Sequence, residues 1–445
     1  MKFKRPIYKA TLFIFLWFVF SADLPVLSKQ IAPKAVKGVI DLRDWDFKRD
    51  EPVELSGEYE FYWKQHLLSS DFNTRIPPKI DGFIEVPGYW NGFEIDGNMI
   101  PGTGYATYRL NLLLDDRQGS LALRILSMGM GTAFRLYVNG DKLSSGGTPG
   151  KNLETTVPGY SPGVVDFEQN ASRMEIILHV SNFHHRRGGV WEVIQLGNET
   201  DVRVLRESRL NFDLFLFGSI FIMALYHLGL FSLRKEDTSS LYFSVICFLV
   251  ALRLLSTGER YLIHLFPNIS WGLLSKFEYL SFYLALPAFA LFMESIFHAF
   301  SRQIVRCLVA LGLIFSSIVI FSPTRIFSYT IPLYEFIILS AFIYGLYVLI
   351  ISLVRKEDSA LVFSIGFVIL FLTVINDILH VEKVVQTGYL APFGFFIFFL
   401  SQAYLISHRF SMAHKTVEQQ GIDLQKTLDA YKKEVADHKL AEEAR

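Results

Sequence analysis

Three regimes of hydrophobic patterning follow one another along the chain. From Ile31 to about Asp201, apolar residues come in short, partly alternating runs broken by glycine and proline. From about Phe212 to Ser407 they form long stretches separated by short polar connectors. From His408 to Arg445 the chain is charged and contains no proline. Each regime predicts a different kind of element.

In the first, Leu110–Leu114, Leu121–Leu126, Phe134–Val138 and Met174–Val180 read as strands. Phe134-Arg135-Leu136-Tyr137-Val138 alternates, which puts its apolar residues on one face of a pleated strand. Asp115-Asp116, Asn139-Gly140, Gly146-Gly147 and Pro158-Gly159 supply turns between the runs. Residues 31–201 are therefore expected to form an all-β sandwich.

In the second, a helix needs about 20 apolar residues to cross a bilayer. Seven segments are candidates: Phe212–Leu233, Leu241–Leu255, Tyr279–Phe297, Ile304–Phe321, Phe327–Leu353, Leu361–Asp377 and Tyr389–Ser407. The expected fold class is thus a multi-domain membrane protein: an all-β sandwich, an α-helical seven-span bundle over 212–407, and a coiled-coil helix over 408–445. The string RKED recurs at Arg234 and Arg355, each time before a serine-containing apolar run. Either an internal duplication or the shared demands of a short cytoplasmic turn explains it.

The N-terminus carries Lys2, Lys4 and Arg5, then an apolar run from Thr11 to Phe20, then Ser21-Ala22-Asp23. That is the plan of a secretory signal peptide over residues 1–28, with cleavage after Ala22 or Ser28, or of an uncleaved anchor. With the sandwich exported, seven crossings leave the C-terminus in the cytoplasm. Predicted inner connectors carry Arg234, Lys235, Arg302, Arg306, Arg355 and Lys356 against Arg260, Lys276, Arg325 and Lys383 outside, in the sense of the positive-inside rule.

Composition sharpens this only in part. Charged residues are 19% of the 445, and 43 Lys+Arg balance 43 Asp+Glu. A nucleic-acid binder would show a basic surplus, so that class is excluded. Two cysteines, Cys247 and Cys307, support neither a disulfide framework nor a thiolate metal site. Neither a metal nor any other cofactor is expected. No nucleophile elbow or phosphate-binding glycine loop occurs, so this chain reads as a non-enzyme. Pro287 is the one proline well inside a predicted span, whereas transporters pair helix interruptions near mid-bilayer.

Ionisable residues near hydrocarbon are costly and default to functional hypotheses. Arg253, Glu278, Asp377 and His380 all fall near predicted outer ends, as interfacial solvation, a structural ion pair, or a cluster coupling the exported domain to the helices.

VPGYWNG at 86–92, GYATYRL at 104–110, LYVNG at 136–140 and the following Gly146-Gly147 resemble the sugar-binding jelly-roll domain of family 2 glycoside hydrolases, a galactose-binding-like fold. Together with GVIDLRDWDF at 38–47, LSGEYEFYW at 55–63 and LYFSVICFLVALRLLSTGERYL at 241–262, residues 38–407 resemble bacterial seven-transmembrane receptors with diverse intracellular signalling modules. The resemblance implies an exported jelly-roll sensor, a seven-helix transducer in the bacterial inner membrane, and a cytoplasmic output unit such as a histidine kinase or a diguanylate or nucleotide cyclase.

A small-molecule ligand, with carbohydrate as its candidate class, would need aromatic faces and polar groups to fix hydroxyls. Trp63, Trp90, Tyr105, Arg109, His184, Arg186 and Trp191 are the candidates, with core or hairpin packing as the competing role for the aromatics. In the tail, Val417, Gly421, Leu424, Leu428, Tyr431, Val435 and His438 follow alternating four- and three-residue steps. Such heptads favour a two-stranded coiled coil, so a homodimer is expected through Val417, Leu424, Leu428, Tyr431 and Val435; a solvated amphipathic helix is the alternative. HKLAEEAR at 438–445 resembles the linker preceding kinase or cyclase domains, so the output unit is expected beyond Arg445 or in a partner chain. The competing function is a membrane transporter, or another membrane protein with a carbohydrate-binding accessory domain.

Overall fold

The computed structural model describes residues 32–443 apart from 116–118, 127–129, 170, 298, 358–359, 383 and 386. The signal peptide expected over residues 1–28 lies outside the described residues.

The N-terminal part is all-β. One mixed sheet runs in the order β11 (Asp141–Gly146), β10 (Ala133–Val138), β13 (Arg173–Asn182), β8 (Gly104–Leu114), β3 (Gly57–Trp63), β4 (Gly82–Val86). Strand β1 (Val39–Leu42) pairs in parallel with the C-terminal end of β8. A second sheet has the order β12 (Gly163–Gln169), β9 (Gly119–Ile125), β15 (Gln195–Asn198), β2 (Val53–Glu54). Short ladders join β5 (Gly88–Tyr89) to β14 (Gly189–Val190) and β6 (Glu94–Ile95) to β7 (Asn98–Met99).

The pleat sorts the side chains. Ala106, Tyr108, Leu110, Leu112 and Leu114 of β8 point inward, where they share one apolar core with Leu121, Leu123 and Ile125 of the second sheet. Burying each such leucine stabilises the fold by about 1.5–3 kcal/mol. The four runs read as strands fall on β8, β9, β10 and β13, with only Leu126 beyond the end of its strand. Asn139 (φ +50°) and Gly140 (φ +90°) form the two-residue turn between β10 and β11, where both residues must be left-handed.

Seven long helices follow: α1 (Glu199–Leu233), α2 (Thr238–Ser256), α3 (Trp271–Ile296), α4 (Arg302–Phe321), α5 (Ile331–Val354), α6 (Ala360–Val381) and α7 (Ala391–Glu443). Among the described residues, six of them are long and apolar enough to cross a membrane. In α7 the apolar part is Ala391–Leu405, and the same helix then continues into the charged tail.

Two helix starts differ from the hydrophobic pattern. Helix α1 begins at Glu199, well before the first apolar run, because the Asn198 side chain accepts from Asp201 N at 3.0 Å and caps it. Since Asn198 also ends β15, the sandwich passes into the first span through a helix with no loose linker. Helix α3 begins at Trp271, capped by Ser270, and its first turns bury Leu274 and Ser275. Those polar-flanked turns are outside the apolar window that marks a span.

The chain therefore alternates between two ends of the bundle. The connectors after Ser256, Phe321 and Val381 lie at the sandwich end, and those after Leu233, Ile296 and Val354 at the other. Exposed Arg234, Lys235, Arg302, Arg355 and Lys356 are all at the far end. Of the repeated RKED turns, the first caps α2 through Asp237, which accepts from Ser239 N at 3.1 Å; Asp358 of the second lies outside the described residues.

Candidate coupling interface

The outer face of the second sheet rests on the start of α1. Strand β9 alternates, so while Leu121, Leu123 and Ile125 enter the core, Arg124 points the other way, toward the helices. Its side chain is 1% exposed and ion-paired to Glu259, in the connector after α2. Arg124 Nη1 also donates to Gln195 Oε1 at 2.8 Å, and Arg206 of α1 reaches Glu259 at 3.3 Å. Beside them, Arg203 pairs with Asp166 of β12 and with Glu199 at 3.2 Å.

The next residue, Arg260, is also 1% exposed. It contacts Glu278 at 3.2 Å, donates to Ser256 O at 2.9 Å, and lies over the ring of Tyr160, 3.7 Å from its centroid. A buried cation on an aromatic face is worth about 2 kcal/mol. The Tyr160 hydroxyl is 3.4 Å from Ser275 Oγ, and its ring sits 6.0 Å from Trp271. Tyr160 thus inserts between the connector and the start of α3, and burial raises its pKa.

A third set of contacts comes from the loop after β13. Asn182, fully buried, shapes it: its amide donates to the carbonyls of Gly102, His185 and Arg187 at 2.8–2.9 Å, and its oxygen accepts from His185 N at 3.1 Å. The loop then meets three parts of the bundle. His185 Nε2 lies 3.2 Å from Tyr279 Oη of α3, and Arg186 N donates to Ser328 Oγ at 3.1 Å after α4. Arg187 Nη2 lies 2.7 Å from both carboxylate oxygens of Glu382 after α6. Arg187 also covers Tyr89, whose hydroxyl donates to Val381 O at 2.9 Å. Burial pushes the His185 pKa down to about 3 and lowers that of His184.

The residues expected to bind a ligand do not converge. Trp90 is fully buried in the sandwich core, donating to Gly102 O at 3.0 Å, and Trp63 packs against it with centroids 5.3 Å apart. Trp90 is part of the core, and Trp63 is partly buried against it. Tyr105 and Arg109 lie on the outer face of the large sheet, Tyr105 against His66 and Arg109 between Glu175 (2.6 Å) and Glu60 (3.1 Å), with Phe72 over its guanidinium. His184, Arg186 and Trp191 belong to the interface: Trp191 lies 4.9 Å from His185 and His184 lies 6.2 Å from Trp271.

The four expected coupling residues all sit at the sandwich end of the bundle. Arg253 donates to Glu278 O at 3.1 Å. Asp377 accepts from the backbone of Leu390 and Ala391 at 2.6 and 3.1 Å, and His380 accepts from Gly388 N at 3.3 Å, so both fix the start of α7. Tyr89, Arg124, Tyr160, Glu259 and Glu382 were not singled out by sequence. One cue existed: Arg124 interrupts the apolar run Leu121–Leu126. Among the described residues no group of three or more His, Cys, Asp or Glu side chains is placed to hold a metal.

No curated protein matches the sequence. Among solved structures, a Ruminococcus gnavus β-glucuronidase is similar over 33% of this chain and 27% of its own, at 14% identity and a TM-score of 0.25. An uncultured Clostridium sp. β-glucuronidase is similar over 34% and 29%, at 16% identity and a TM-score of 0.26. The chain spans less than a third of either enzyme, and so low a TM-score carries no statement about activity. Residues 209–409, spanning most of α1 through the apolar part of α7, match the family described as 7TM diverse intracellular signalling. The helical half of this multi-pass membrane protein is therefore similar to the seven-transmembrane domain of that receptor family.

Proposed function

We propose that the β domain is an exported sensor, that ligand binding changes how it sits on the sandwich end of the bundle, and that α7 carries the change to a cytoplasmic output module in a homodimer. The observation that carries this reading is a topological one. The sandwich grips all three connectors at one end of the bundle, through Glu259 and Arg260, Ser328, and Glu382, while α7 leaves from the other end as one helix reaching Glu443. At 1.5 Å per residue its 53 residues extend about 80 Å, far more than a bilayer needs. The exposed cations at the far end support a cytoplasmic location for that end. A carbohydrate remains the candidate ligand class, and a kinase or cyclase the candidate output.

A ligand shifts a two-state element only by its difference in affinity for the two states. The interface supplies the contacts that can differ: ion pairs and cation–π contacts that a small rotation breaks together. Cysteine cross-linking of the tail at Leu424 in membranes reads the outcome. Arg187→Ala and Glu259→Gln should each change the cross-linking yield without loss of membrane insertion. An unchanged yield in both variants would overturn coupling through this interface, and ligand flux into vesicles would favour the transporter reading.

A further inference from the structure

Arg187 and its neighbour Arg186 meet the bundle in opposite conditions. Arg187 is satisfied by Glu382 and Tyr89. The half-buried Arg186 guanidinium forms no ion pair among the described residues, and its Nε is sealed from solvent without an acceptor. The charges acting on it come from Arg187, which opposes it, and from Tyr279, Glu382 and Glu335. Glu382 is already engaged by Arg187. Across the seam, Ser328 links the two sides: its hydroxyl accepts from Arg186 N and donates to Arg325 O at 3.4 Å. Arg325 likewise forms no ion pair among the described residues, and its charge acts on His184, whose Nδ1 is buried and unpartnered. Arg186, Arg187 and Arg325 outnumber Glu382 and Glu335 here, and a partly desolvated cation held in no ion pair leaves a surplus that favours an anion.

We propose that the seam between the 184–187 loop and the turn Thr324–Phe327 is an oxyanion site, in which Arg186 binds a phosphate or carboxylate group with Arg325 and His184 beside it. Guanidinium suits this role because its planar fork of donors matches two oxygens of one group. The group touches the sandwich through Arg186 and the bundle through Arg325, so its occupancy biases how the two halves sit together. That consequence rests on reading the seam as the coupling surface; the binding itself does not. Two sources present this chemistry at a membrane surface: the phosphate of a lipid headgroup, and a dissolved oxyanion.

The full chain in uncharged maltoside detergent separates them, with thermal unfolding as the readout. Inorganic phosphate at constant ionic strength, balanced with chloride, should raise the midpoint by about 2–4 °C if a dissolved oxyanion binds. Added phosphatidylglycerol without phosphate should raise it similarly if a headgroup binds. In either arm the rise should vanish in Arg186→Gln and be partly kept in Arg186→Lys, which retains the charge but not the fork. Without either anion, Arg186→Gln should unfold no lower than the wild type, since it removes an unpaired charge. A response equal in wild type and Arg186→Gln, or no response in either arm, overturns the site. Tail cross-linking insensitive to the interface variants, beside an intact Arg186-dependent shift, would instead overturn the coupling reading and leave the site standing.

Discussion

Arg124 of the sandwich and Glu259 of the connector after α2 are ion-paired inside the protein, their side chains 1% and 6% exposed. The pair is not symmetric. Glu259 has a second cation in Arg206, while among the described residues Arg124 has only the neutral Gln195 besides. Removing one partner of a buried pair costs about 3–5 kcal/mol, because the other charge is left desolvated.

The asymmetry fixes the order of two variants. Glu259→Gln strands both Arg124 and Arg206, so it should lose the full amount, about 3–5 kcal/mol. Arg124→Gln leaves Glu259 with Arg206 and should lose less. The double variant should cost less than the sum, as residues sharing one network do not add. Denaturation of the three purified proteins in detergent measures this. Equal losses for the two single variants would mean that Arg206 does not hold Glu259.

Acid should weaken the interface before it weakens any carboxylate pair. The His185 pKa is pushed down to about 3 by burial, against 6.5 for the free side chain. The unfolded chain therefore binds the proton between these values and the folded chain does not, so stability falls as pH drops through 6.5 toward 3. At pH 5 the loss from this residue is at most about 2 kcal/mol. His66 acts in the same direction and window, its pKa also down to about 3 by burial and by the charge of His179. Asp41, held down to about 2 by Arg43, matters only below the ordinary carboxylate range. In His185→Gln the slope of stability between pH 7 and pH 5 should be shallower than in the wild type; an unchanged slope would assign the acid sensitivity elsewhere.

The spans and strands were legible because each writes its own period into the chain: a long unbroken apolar run for a helix in lipid, alternation for a strand over a core. The starts of α1 and α3 were not, because Glu199–Asn211 and Trp271–Glu278 are helical through caps and packing against the sandwich rather than through apolar content. The interface was the least legible. Arg124 and Glu259 are 135 residues apart, and no periodicity marks a pair that meets only when two domains dock. Trp63 and Trp90 show the converse. Aromatic composition singles them out, but only the fold decides whether such rings face solvent or the core.

Helix α7 begins where Asp377 of α6 holds it. The carboxylate accepts from the backbone N–H groups of Leu390 and Ala391, which the helix itself leaves unpaired. Asp377→Ala should cost about 0.5–2 kcal/mol and unwind the first turn. Hydrogen exchange over residues 387–394 should then quicken, with Asp377→Asn intermediate. Exchange as slow as in the wild type would show that packing of Phe395 and Phe398, and not the cap, sets where α7 starts.

The tail presents its heptad residues to solvent in the single chain: Leu424 is 68% exposed, Leu428 45%, Val417 67% and Tyr431 66%, while the Val435 side chain lies outside the described ones. Apolar residues at alternating four- and three-residue steps, left bare on a long helix, are what the proposed two-stranded coiled coil would bury. Cysteines at Leu424 and Leu428 should each cross-link chains in membranes, whereas one at Gln425, a step off the seam, should cross-link poorly. Gly421 stands in the same seam and weakens it, since glycine costs a helix interior about 1 kcal/mol relative to alanine. Gly421→Ala should therefore raise the cross-linking yield at Leu424→Cys. If Gln425→Cys links as well as Leu424→Cys, the chains meet by chance collision, and the tail is a solvated helix.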